Sequence, residues 1–158
     1  MKLMNIFARF ALAAVAVSLF GFSAVAQEKK VTAKDVPAAV ITAFKTSYPN
    51  ALIRGYAEEK EEGKLYYEIE SREGTTRRDV LYNPDGTVAE VEESIDTNAL
   101  PAAALQVIRQ KYPRGVILLA EKTTAGDKIG YEVAVRNGKA RITLEFDADG
   151  KELTKSKG

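Results

Sequence analysis

The chain has 158 residues, with 23 Lys and Arg against 22 Asp and Glu, and a formal net charge of +1. It contains no Cys, no His and no Trp. Cys–His and Ser–His–Asp nucleophilic machinery is thereby excluded, as is a Cys/His zinc site, while oxygen-only sites for Ca²⁺ or Mg²⁺ remain open. Balanced charge leaves no polyelectrolyte footprint, so no nucleic-acid partner is expected.

Met1–Ala26 opens with Lys2 and Arg9, continues through the apolar run Phe10–Phe22 and ends in Ala24-Val25-Ala26 before Gln27. This is the pattern of a secretory signal with an A-x-A site, and cleavage is expected after Ala26. The apolar run is short for a bilayer span, so no membrane association is expected after cleavage. A periplasmic or secreted chain follows. Residues 27–35 are polar and read as a flexible lead-in to the folded part.

From Val36 onward the sequence runs twice. Pro37/Pro101, Tyr48/Tyr112, Pro49/Pro113, Tyr67/Tyr131, Glu68/Glu132, Gly74/Gly138, Arg77/Arg141, Asp85/Asp149 and Gly86/Gly150 all stand 64 apart without a gap. One constant offset identifies an internal repeat, with copies at 36–96 and 97–158. A unit of about 60 residues buries too little surface to be comfortably stable alone, so the copies are expected to lean on each other.

Each copy begins with a helix. Asp35 is a candidate cap and Pro37 fits the first turn, where its missing N–H costs nothing. Val36, Val40, Phe44 and Tyr48 recur every four residues, as do Leu100, Ala104, Ile108 and Tyr112, which gives one apolar stripe for core packing. Pro49 and Pro113 end the helices. Ala51–Glu59 reads as a strand of undecided phase, because Leu52 and Ile53 are both apolar.

A hairpin follows, with Glu73-Gly74 and Asn137-Gly138 as two-residue turn signals. Such a turn sets Glu70 opposite Arg77, Ile69 opposite Arg78, Glu68 opposite Asp79, Tyr67 opposite Val80 and Tyr66 opposite Leu81. In the second copy it sets Glu132 opposite Thr143 and Tyr131 opposite Leu144. Leu65, Tyr67, Ile69, Val80 and Tyr82 then share a face, as do Ile129, Tyr131, Val133, Ile142, Leu144 and Phe146. Arg78 is the one departure, and its stem is expected along the core edge. Asn83-Pro84-Asp85-Gly86 and Asp147-Ala148-Asp149-Gly150 are turns. A calcium loop at Asp147 and Asp149 would need Glu where Ser156 stands, so no metal is expected there. A last strand, Thr87–Glu93 or Lys151–Lys155, closes each copy. The fold class is α+β: two tandem repeats, each one helix followed by a four-stranded antiparallel sheet, with the helices on one face.

The order helix, Tyr-Pro, strand, Tyr-Glu, Gly, Asp-Gly, strand, twice over, resembles the PepSY-like family, which is related in fold to β-lactamase-inhibitor proteins. The residues that carry the resemblance are Tyr48-Pro49, Tyr67-Glu68, Gly74 and Asp85-Gly86, with Tyr112-Pro113, Tyr131-Glu132, Gly138 and Asp149-Gly150. It implies paired α+β repeats whose sheets form a concave face with the helices behind. It also implies a bacterial cell-envelope protein that binds or inhibits, without catalysis or cofactor.

If helices cover one face, the other is left for a protein or peptide partner. Tyr66, Glu68, Glu70, Arg77, Asp79 and Leu81 fall there in copy one, and Glu132, Arg141 and Glu145 in copy two. Tyr66 beside Leu81 sets apolar surface among charges, as interfaces do. Glu68 opposite Asp79 opposes stability by up to about 1 kcal/mol, which a basic group or a cation would relieve. Two other readings are an envelope structural or stress protein with no discrete ligand, and a hydrolase using Glu68 and Asp79 as an acid/base pair. A deep pocket at Glu68 would favour the hydrolase.

Overall fold

The computed structural model describes residues 27–61 and 63–153; the expected signal segment lies outside them. The four-residue stripes do become helices, α1 (Ala38–Ser47) and α2 (Ala102–Lys111). Pro37 and Pro101 stand at their N-caps. Asp35 does not cap α1. Its carboxylate instead accepts from the Thr32 backbone N–H and hydroxyl at 2.9 and 2.7 Å, closing the turn before the helix.

The strands are β1 (Gln27–Val31), β2 (Leu52–Glu61), β3 (Lys64–Glu73), β4 (Thr76–Tyr82), β5 (Val88–Ser94), β6 (Val116–Ala125), β7 (Lys128–Asn137) and β8 (Ala140–Asp147). They form one antiparallel sheet in chain order, so the two expected sheets are fused through β5 and β6. Four strands follow α1, as expected. Only three follow α2 among the described residues; the fourth is reduced to an isolated bridge, Phe146 to Glu152. That bridge stands 64 residues beyond the pair Tyr82–Val88.

The polar lead-in supplies an edge strand. Lys29 pairs with Glu58 as Glu93 pairs with Lys122, again 64 apart. By pairing, β1 is therefore to the first copy what β5 is to the second. β5 closes one copy and opens the next.

Both helices lie on one face. Val40 and Phe44 pack on Tyr67, Ile69, Val80 and Tyr82. Ala104 and Ile108 pack on Val133, Val135, Leu144 and Phe146. Residues paired across strands point to the same side, and the ladder Glu93–Lys122–Tyr131–Phe146 carries the helix side from the first copy into the second. Each buried Val, Ile or Phe contributes about 1.5–3 kcal/mol relative to exposure. Arg78 is on this side too. Its guanidinium stacks 4.1 Å from the Tyr48 ring centre and bonds Glu93 at 2.6 Å, so the stem does run along the core edge.

The hairpin register departs from expectation by two residues in both copies. Gly74-Thr75 and Gly138-Lys139 form the turns, with glycine first and at positive φ. Glu68 consequently faces Leu81 rather than Asp79, Asp79 faces Glu70, and Glu132 faces Glu145. A shift of two leaves every side chain on its expected face, because the pleat repeats every two residues. The Asp-Gly turns have a second use: a Cβ on Gly86 would come within 2.8 Å of the Ala39 carbonyl oxygen, so this turn docks tightly on α1.

Candidate functional site

The face opposite the helices carries Tyr66, Glu68, Glu70, Arg77, Asp79, Leu81, Glu132, Arg141 and Glu145 together, as strand pairing requires. It carries five more carboxylates. Glu28 and Glu59 lie opposite each other on β1 and β2, Glu90 and Glu92 lie on β5, and Glu121 lies on β6. Three rows cross the sheet: Ala57–Glu68–Leu81–Glu90, then Glu70–Asp79–Glu92–Thr123, then Ser94–Glu121–Glu132–Glu145. Two facing arginine pairs, Arg72–Arg77 and Arg136–Arg141, mark the hairpin end of this face.

Among the described residues no helix covers these acids, yet several are buried. Relative exposure is 2% for Glu121, 3% for Glu59, 7% for Glu68 and 9% for Glu92. Carboxylates are almost never fully buried unless paired. Glu70 folds back against Gly55, where a Cβ would meet its carboxylate at 3.0 Å.

Crowding of like charges out of water favours the protonated forms. Burial first, then Glu59, Asp79, Glu70 and Glu28, pushes the Glu68 carboxyl up to about 9. Burial and Glu132, Glu90, Glu121 and Asp79 do the same to Glu92, also to about 9. Glu121 rises to about 7 through burial and Asp79, with Arg77 and Arg141 opposing. Asp79 rises to about 6 through burial and Glu70, while Arg77 and a backbone hydrogen bond at Ser71 oppose the shift.

Glu28, Glu68 and Glu70 place carboxylate oxygens within 4.8 Å of one another and could hold a cation. Lys30 Nζ already lies 3.7 Å from Glu70 Oε1 and supplies part of that charge. A cavity of about 350 Å³ lies elsewhere, beside α2, lined by residues including Leu105, Arg109, Tyr112 and Ile117. It contains no carboxylate and is not at Glu68. In the Asp147 turn, the Asp147 carboxylate accepts from the backbone N–H groups of Asp149 and Lys151 at 3.1 and 2.8 Å.

The five added acids escape the sequence reading for separate reasons. Glu28 sits in a segment expected to be loose, and Glu59 lies in an acidic run that looks like an ordinary solvated stretch. The alternation Glu90-Val91-Glu92 is a strand signal that could have found two of them.

The family model described as "Putative beta-lactamase-inhibitor-like, PepSY-like" matches residues 23–88 and again 65–154. This chain belongs to the PepSY-like family. Among solved structures it is similar to one from Bacteroides eggerthii described as "putative periplasmic proteins", at 18% identity and a TM-score of 0.61. That match covers 75% of this chain and 86% of the other. It is also similar to a BLIP-like protein from Bacteroides fragilis, at 22% identity and a TM-score of 0.55, covering 75% and 84%. The search of curated proteins gave no match. These likenesses place the fold of a PepSY-like chain. No helix among the described residues is long and apolar enough to cross a membrane.

Proposed function

We propose that this PepSY-like chain is an exported, non-catalytic envelope module, periplasmic or secreted, that binds a protein or peptide on the helix-free sheet face. The observation that carries the reading is the set of buried carboxylates on a face that no helix among the described residues covers. Fold stability alone is poorly served by such an arrangement, since crowding carboxyls out of water raises Glu68 and Glu92 to about 9 and disfavours their charged forms. Exposed Leu52 and Val116, paired with Arg72 and Arg136, add apolar surface at the arginine end; Tyr66 and Leu81, no longer opposite each other, face Glu59 and Glu68 instead. Mixed apolar and charged surface of this kind suits a protein interface. The eggerthii structure's description and the leader-like N-terminus support the compartment.

Hydrolysis by Glu68 and Asp79 is disfavoured by the register, which sets Glu68 opposite Leu81 and Asp79 opposite Glu70. Affinity capture from envelope extract tests the binding reading, with an Arg141→Glu/Tyr66→Ala variant as control. A partner retained by the natural chain and lost by the variant is expected. Identical capture by both contradicts use of this face.

A further inference from the structure

We propose that the partner presents a cationic segment, with a lysine or arginine side chain seated over Glu92 and Glu121 at the seam between the two copies. This rests on the reading above and names the chemistry of the occupant. The chain as a whole is near neutral, so the acid on this face reflects placement, not composition.

The seam is where buried acids from adjacent strands crowd together. Glu92 and Glu121 lie on adjacent hydrogen-bonded strands, each two residues from the other's partner and so on the same face: Glu92 faces Thr123 and Glu121 faces Ser94. Both are more than nine-tenths buried. Among the described residues neither carboxylate has a hydrogen bond or an ion pair. The groups around Glu92 sharpen the point. Asp79 faces it from β4, Glu90 precedes it on its own strand, and Glu132 reaches toward it from β7. Glu121 has Glu132 opposite and feels Asp79, with Arg77 and Arg141 as the opposing cations.

A point charge on a long stem is the natural complement, because it can enter a narrow acidic floor while the partner backbone stays above. The Glu28–Glu68–Glu70 edge is the place for a bare metal ion instead, and there Lys30 already reaches in. Docking a cation favours the charged carboxylates, so Glu92 and Glu121 must release protons as the partner seats. Binding is then tighter at pH 8 than at pH 6 and weaker at high salt.

The test titrates the purified exported chain with a short lysine–arginine peptide, with a glutamate peptide of equal length, and with calcium chloride. Calorimetry in two buffers of different ionisation enthalpy reads affinity and proton release. The basic peptide is expected to bind with net proton release, the acidic peptide not at all. Glu92→Gln/Glu121→Gln should weaken binding by about tenfold or more and abolish the proton release. A thermal melt shows that this variant is folded. Equal binding by variant and natural chain, or calcium binding without peptide binding, overturns the proposal. If an envelope partner is lost by Arg141→Glu/Tyr66→Ala yet kept by Glu92→Gln/Glu121→Gln, the cationic occupant falls and the binding face stands. If neither variant loses it, both fall.

Discussion

Glu92 stands directly opposite Asp79, across β5 and β4, on the sheet face away from α1 and α2. Asp79 meets a second acid, Glu70, on its other side. Like charges directly opposed across strands are destabilising by about 0.2–1 kcal/mol each. Asp79→Asn removes the central charge of this row while keeping its shape. It should raise stability by about 1 kcal/mol, read as an upward shift of the denaturation midpoint. An unchanged or lowered midpoint would show that the row is already compensated.

Stability should fall as pH rises. Glu68, Glu92, Glu121 and Asp79 all have carboxyls raised on folding, so the folded chain holds more protons than the unfolded one. The stabilisation is complete below the ordinary carboxylate range, near pH 4, and is lost progressively as pH climbs through about 6, 7 and 9. Melting temperatures recorded from pH 5 to pH 9 should therefore decline. Glu68→Gln/Glu92→Gln should flatten that decline, most clearly above pH 7. A rising curve would contradict the arrangement.

Tyr82 is fully buried and its hydroxyl has no hydrogen-bond partner among the described residues. The second copy places Phe146 at the equivalent position, equally buried. An unsatisfied buried polar group costs about 1–3 kcal/mol. Tyr82→Phe should leave the fold intact and raise stability by about 1 kcal/mol in chemical denaturation. A loss of stability would show that the hydroxyl is satisfied.

The two copies have separate cores but share β5: Val91 packs on the first and Ile95, just past its end, on the second. A chain cut after Asp96 keeps the first core but exposes the β5 edge that β6 had covered. Such an edge invites pairing with another chain. The fragment should be unfolded or oligomeric by light scattering and circular dichroism. A monomeric, cooperatively melting fragment would show that the copies are independent.

Faces were legible in the sequence where alternation is unbroken, as in Tyr67/Ile69 with Val80/Tyr82. Pairing within those faces was not, because Gly74 can serve as either residue of a two-residue turn and both choices preserve the pleat. The undecided phase of the first strand has a physical origin: register slips between Ile53 and Gly55, and again between Ile117 and Leu119 in the second copy. Ordinary alternation sends Leu52 to water and Ile53 to the core, and the bulge after Ile53 then inserts one residue, so that Tyr56 rather than Gly55 is next on the core side. The last strand of copy one is interrupted likewise near Tyr82. The crowded acid face was half visible, since only fused sheets bring β5 and β6 side by side and set Glu92 near Glu121.

Carboxyl ¹³C titration of Glu68 and Glu92 in the folded chain is the most direct measurement of all. Midpoints near 9 at both positions are the expected result, far above an exposed glutamate. Midpoints in the ordinary range, about 4 to 5, would mean that water reaches both groups and that the helix-free face is an open, solvated surface.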